Sequence, residues 1–286
     1  MGYMKKFFVP LFLFFPLFAS EIKEEIASLE EALICRAADE AIHFKLAHAY
    51  FQDQEVDKAF RHFLSALKLV SPEPPPEMSL EEKILYEEAL SDYQNGGGSD
   101  PVKVARQMLD TYGGPADAHP DWIHLNFLIA TAYGNLGQYD LFFDRFYRGY
   151  KHLSDTFLAY KTRGILYLRL AQRGRSPEER HTDREEAFEY LTKGLERNPA
   201  DPSLYKVLIF LAKDEKNDAL VLHYLEKMVE NKAHIPRGDI YLYVREAVAL
   251  GELDLGQRII DLARAQYEFS RAISVAQEYL NECSRG

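Results

Sequence analysis

Residues 41–67 read AIHFKLAHAYFQDQEVDKAFRHFLSAL, and this stretch constrains the fold more than any other. Phe44, Ala47, Tyr50 and Phe51 fall on one face of a helix. After a polar turn, Ala59, Phe60, Phe63, Leu64 and Leu67 fall on one face of a second. Two such helices make an amphipathic hairpin too small to bury both faces alone, so it needs neighbours of its own kind. Ala47, Ala59 and Ala66 stand where a core would otherwise want bulk. They mark close helix crossings, because a larger side chain there forces backbones apart at a typical cost of about 1–3 kcal/mol. Tyr50 and Phe63 fill the space beside them.

The same pattern recurs along the chain. Around Tyr133 the sequence is IATAYGNLGQYDLFFDRFYRGY, and around Ala247 it is VREAVALGELDLGQRIIDLARA. Leu136-Gly137-Gln138-Tyr139-Asp140 aligns with Leu250-Gly251-Glu252-Leu253-Asp254, and Gln54-Glu55-Val56-Asp57 holds the same place in the first hairpin. Tyr133 and Tyr167 lie 34 residues apart, as do Ala130 and Gly164. This period and residue pattern resemble the tetratricopeptide repeat.

The first repeat supplies Leu46, Ala47, Tyr50, Ala59, Phe63, Ala66 and Pro72, with His43 in place of the usual aromatic. The third supplies Ile129, Ala130, Tyr133, Gly137, Tyr139, Phe146 and Gly149, with Phe142 where the family has a small residue. The fourth supplies Gly164, Tyr167, Ala187, Leu191, Gly194 and Pro199, and the sixth Val244, Gly251, Gly256, Ile260 and Ala263. Tyr86, Ala89, Tyr93, Ala105, Leu109 and Pro115 mark a degenerate second repeat, its turn swollen by Gly96-Gly97-Gly98. Leu208, Ala212, Ala219 and Pro236 mark a degenerate fifth. The resemblance implies an all-α, right-handed superhelical solenoid of about six helical hairpins over residues 38–266. A capping helix over residues 267–281 is expected to close it.

Two stretches interrupt the repeats. Ser71-Pro72-Glu73-Pro74-Pro75-Pro76 predicts a stiff, extended linker. Residues 172–183, QRGRSPEERHTD, predict a solvated loop between the helices of the fourth repeat, either a tolerated insertion or a partner-contacting loop.

The N-terminus reads as an address. Lys5 and Lys6 precede an apolar run over residues 7–18, followed by Ala19-Ser20 and an acidic segment. This is the order of a secretory signal peptide, with cleavage expected after Ala19. The run is shorter than the roughly 20 residues a spanning helix needs. The organisation expected is thus a signal over residues 1–19 and a helical-repeat domain over 20–286, in the periplasm or cell envelope. Retention of the signal would instead make a membrane-tethered accessory subunit of an envelope or secretion complex.

The formal net charge of −11 argues against a nucleic-acid binder, which needs a basic stripe. Cys35 and Cys283 form no CxxC and no Cys/His cluster, so neither a zinc site nor a redox dithiol has support. Free thiols are expected, with an intermolecular disulfide the alternative. The sequence holds no GxGxxG, Walker loop, nucleophile elbow or HExxH. His43 and His48 point about 140° apart around a helix, and the remaining histidines are scattered. No catalytic, cofactor-binding or metal residue is assigned, and no cofactor is expected.

In the tetratricopeptide family the first helix of each hairpin lines a concave groove for a peptide or protein segment. In phase with the motifs, the resemblance places Phe44, His48 and Phe51 there, then Phe127 and Thr131, then Lys161, Ile165 and Arg169. Lys206, Phe210 and Lys213 follow, and last Tyr241 and Arg245. The groove would run from aromatic to basic and suit an extended acidic segment with apolar anchors. Lys161 is followed four residues on by Ile165, and Lys206 by Phe210, so the family's carboxylate clamp is absent. The implied role is a non-catalytic protein-interaction scaffold.

Overall fold

The computed structural model describes residues 15–96, 100–173 and 176–285. Most of the expected signal segment (residues 1–14), residues 97–99 of the glycine-rich turn and residues 174–175 of the expected loop lie outside the described residues. Among the described residues there is no strand. The chain forms two compact units, Met1–Ser71 and Pro72–Gly286, and their boundary falls in the proline-rich stretch, where residues 71–77 are all exposed.

The first unit holds α1 (Phe15–Cys35), α2 (Glu40–Gln52) and α3 (Val56–Leu69). Asp39 caps α2 by accepting from the Ile42 amide at 3.1 Å. Leu46, Ala47, Ala59, Phe63 and Ala66 have no exposed surface, so the alanine crossings lie where the spacing put them. Helix α1, which the repeat pattern does not assign, docks on α2 by burying Ile26 and by a hydrogen bond from the Tyr50 hydroxyl to Glu30.

The second unit begins with α4 (Leu80–Gly96), α5 (Pro101–Ala118), α6 (Ile123–Asn135) and α7 (Tyr139–Leu153). It continues with α8 (Phe157–Ala171), α9 (Pro177–Arg197), α10 (Pro202–Asp214) and α11 (Asp218–Glu230). A 3-10 turn (Arg237–Asp239) leads to α12 (Ile240–Ala249), α13 (Leu253–Gln266) and α14 (Arg271–Cys283). Consecutive helices pack as hairpins, and hairpins meet through α5 on α6, α9 on α10, and α11 on α12 and α13, with α14 closing on α12 and α13. With α2/α3, this makes the six hairpins and the closing helix that the period implied. Fully buried rings such as Tyr205, Tyr243 and Phe146 each contribute roughly 1.5–3 kcal/mol.

Four hairpin turns share one geometry. Gly137 (φ 74°) and Gly251 (φ 82°) are left-handed, and Gln54 (63°) and Lys216 (55°) take the same conformation without being glycine. In each, the next amide reaches back over the turn: Gln138 to Tyr133, Glu252 to Ala247, Glu55 to Tyr50 and Asn217 to Ala212. This is the hydrogen-bond pattern that closes a helix on a left-handed residue.

Small residues set the hairpin spacing. A Cβ on Gly164 would lie 2.6 Å from Leu191 Cγ and 3.1 Å from the Ala187 carbonyl oxygen, so α8 and α9 approach closely only without one. Phe142 stands where the repeat has a small residue, and the room comes from the opposite helix: a Cβ on Gly134 would lie 3.1 Å from the Phe142 ring.

Three expectations are corrected. Most of residues 172–183 is helix, because Ser176 caps α9 by accepting from the Glu179 amide at 3.2 Å, with Pro177 in the first turn followed by two acids. Ala219 is exposed; the buried crossing position in α11 is Val221, two residues later. Helix α5 runs through Pro115 to Ala118 rather than ending before it.

Candidate functional site

The first helices of successive hairpins in the second unit carry two concavities. One is a depression of about 700 Å³ over α8, α10 and α12, lined by Lys206, Phe210, Lys213, Leu242, Arg245 and Glu246 among others. Thus Lys206, Phe210, Lys213 and Arg245, named from the repeat phase, come together. Phe210 is 59% exposed although its neighbours Ile209 and Leu211 are buried. Tyr241, 37% exposed, stands outside this lining with its ring edge-on to Tyr279 at 5.3 Å.

Each cation of this depression meets a carboxylate, three cations sharing two acids. Lys206 Nζ lies 2.7 Å from Asp239, Lys213 Nζ 2.5 Å from Glu246, and Arg245 3.0 Å from the other Glu246 oxygen. Both acids are buried. Burial alone would push the Glu246 carboxyl up. The hydrogen bonds and charges of Lys213 and Arg245 outweigh it and hold the group below the usual carboxylate range.

The second concavity is a cavity of about 460 Å³ bounded by α4, α5, α6, α7, α8 and α10. Thr131, Lys161, Ile165 and Arg169, also named from the repeat phase, line it. The Lys161 side chain is 11% exposed and its ammonium reaches both oxygens of Asp201 at 3.1 and 3.3 Å. Asp201 is the cap of α10 as well, accepting from the Ser203 and Leu204 amides at 3.0 Å. Desolvation opposes the charge on Lys161, but Tyr93 and Asp201 overcome it, and the pKa rises above the usual lysine value. Arg169 meets no carboxylate among the described residues; its Nη1 donates to the Tyr139 hydroxyl at 2.5 Å.

Other expected groove residues lie differently. Phe127 is 1% exposed, 4.7 Å from the Phe146 ring and against Gly149. It is a core residue, and its assignment to the groove is corrected: α6 carries buried residues at every position from Phe127 to Ala132, so the phase of the motif could not separate its faces. Phe44, His48 and Phe51 belong to the first unit and are partly buried. Phe44 sits edge-on to His48 at 4.8 Å and near Phe63 at 6.4 Å.

In the same unit His43 and His62 face each other through their Nδ1 atoms at 3.0 Å. Burial, then the neighbouring His43, lowers His62 to about 4. Trp122 packs at the start of α6, stacked on His119 at 3.9 Å. Cys35 and Cys283 are free thiols. Among the described residues no three His, Cys, Asp or Glu side chains gather to hold a metal ion.

Asp201, Asp239 and Glu246 were not singled out from the sequence. They lie 40, 33 and 33 residues beyond Lys161, Lys206 and Lys213, close to one repeat period. A search for acids one period beyond each groove cation is the signal that finds them.

The fold is that of an all-helical protein of stacked hairpins, and its hairpins resemble the tetratricopeptide repeat. No protein-family model and no curated protein matches the chain. Among solved structures, a thermophilic TPR protein of Thermus thermophilus is similar at 12% identity, covering 70% of this chain and 98% of its own, with a TM-score of 0.45. PilW, a widely conserved type IV pilus biogenesis factor, is similar at 16% identity, covering 91% of this chain and 93% of its own, with a TM-score of 0.25. At such low TM-scores nothing about this chain rests on either likeness.

Proposed function

We propose that the chain is an exported, non-catalytic interaction scaffold of the periplasm or cell envelope. Its second unit holds an extended protein segment in the depression over α8, α10 and α12. The observation that carries this reading is Phe210, 59% exposed between buried neighbours on a stacked-helix face. An aromatic left in water on the wall of a concave surface suits an apolar anchor from a partner. Because Lys206, Lys213 and Arg245 already face Asp239 and Glu246, the acidic character expected of the partner gives way to an apolar one.

A random peptide library displayed on phage and panned against the protein tests this. Selected peptides are expected to carry a large apolar residue and to lose binding to a folded Phe210→Ser variant. Peptides that bind that variant equally well contradict the reading.

Export rests on the residues 1–19 pattern. N-terminal sequencing of the protein recovered from an envelope fraction should begin at Ser20, and a retained Met1 would favour the tethered form. Among the described residues no helix is long and apolar enough to cross a membrane.

A further inference from the structure

We propose that the 460 Å³ cavity of the second unit binds a small organic acid, one carboxylate on an apolar body, separately from any peptide on the Phe210 face. The volume falls within the range of small-molecule sites, roughly 300–1,000 Å³. Its wall is largely aliphatic, with Val102, Val104, Ile165, Leu166 and Val207. Among the described residues no Asp or Glu lines it, and the two cations that do are unequal. Lys161 is matched by Asp201. Among the described residues Arg169 meets the hydroxyl and the ring of Tyr139 and no carboxylate, so its positive charge is uncompensated there.

A guanidinium offers five donors in a planar fork that fits a carboxylate, and one bond to a phenol leaves most of them available. Asn135 lines the same cavity with no side-chain hydrogen bond among the described residues, and supplies a neutral donor beside the charge. One net positive charge in an apolar cavity selects a monoanion. A dianion such as a phosphate monoester would leave a charge buried and unmatched. A neutral alcohol of the same length would leave Arg169 without its partner.

Calorimetric titration of the full chain with octanoate and with octanol tests the proposal. Octanoate is expected to bind more tightly than octanol. Arg169→Gln is expected to weaken octanoate by about tenfold or more, as loss of a charged hydrogen bond of about 1.5–3 kcal/mol implies, while moving octanol little. Val102→Phe, at a partly exposed position, narrows the cavity and is expected to weaken both ligands, which holds even if the arginine variant folds poorly. Arg258→Gln, exposed on α13 and outside both concavities, should leave both unchanged. Absence of octanoate binding, equal affinity for octanol, or an Arg169→Gln variant that binds octanoate like the parent overturns the proposal. Arg169 and Val102 do not line the Phe210 depression, so failure of their variants leaves the peptide reading to its own test.

Discussion

The two concavities of the second unit look alike in sequence and differ in how their charge is balanced. Each draws a lysine or arginine from the first helix of successive hairpins. In the α10/α12 depression Lys206 and Lys213 meet buried acids on the next hairpin, Arg245 shares Glu246 on its own helix, and the exposed apolar feature left over is the Phe210 ring. In the cavity under α4 and α5, Lys161 is matched but Arg169 is not. A basic residue in a repeat groove is therefore no measure of a basic surface. What decides is whether the following repeat returns a carboxylate.

The difference is open to mutation, and the largest effect belongs to Asp201. It is 3% exposed and serves as both helix cap and counter-ion. Asp201→Ala leaves the Lys161 charge buried and the α10 amides uncapped. It should cost about 3–5 kcal/mol for the broken pair and about 1 kcal/mol for the cap, read from urea unfolding. Adding Lys161→Met removes the stranded charge and should restore most of the loss. A double variant no more stable than Asp201→Ala breaks the assignment of that cost to charge.

Glu246→Gln should have a smaller effect, about 1–2 kcal/mol, because Lys213 and Arg245 are about half exposed and water screens the pair. Its signature is in pH. The Glu246 carboxyl is held below its ordinary value of 4.5. Its contribution is therefore present above that value and is lost as pH falls through the lower folded one. Thermal unfolding followed from pH 6 downward should show the parent losing stability below about 4.5 more steeply than Glu246→Gln. Parallel curves would remove the buried-acid half of the comparison.

The smallest effect lies in the turns that set the helices. Lys216 holds a left-handed conformation that glycine takes in the equivalent turn at Gly251. Lys216→Gly should stabilise by up to about 1 kcal/mol, the relief of a left-handed side-chain clash less the entropy of glycine. Gly251→Ala should destabilise by a similar amount. Equal melting temperatures for both would show that the turns do not share one strain.

Much of the scaffold was legible because repeats impose the same demand many times. Ala47, Ala59, Gly164 and Gly256 mark crossings wherever the phase is clear. The phase failed where one helix is buried on several sides, as in α6, which hid that Phe127 is core. It also failed where a crossing residue is not small, as at Val221. The start of α9 carried the signature Ser176-Pro177-Glu178-Glu179, but its charge and proline read as a loop. The candidate site was legible in its cations and in Phe210, which the resemblance to the repeat places on the groove face. Their acids were not, because Asp201 is indistinguishable from an ordinary helix cap until the preceding hairpin is laid against it.

The central claim is that the α10/α12 face recognises a partner through an apolar anchor, each of its cations already facing a carboxylate. The direct measurement is the Kd of a library-selected peptide in about 50 mM and about 500 mM salt, for the parent and for Phe210→Ser. Affinity is expected to change by less than about threefold with salt and to fall by about tenfold or more in the variant, the cost of unburying one large apolar side chain. A steep loss of affinity with salt, together with unaltered binding by Phe210→Ser, would contradict it.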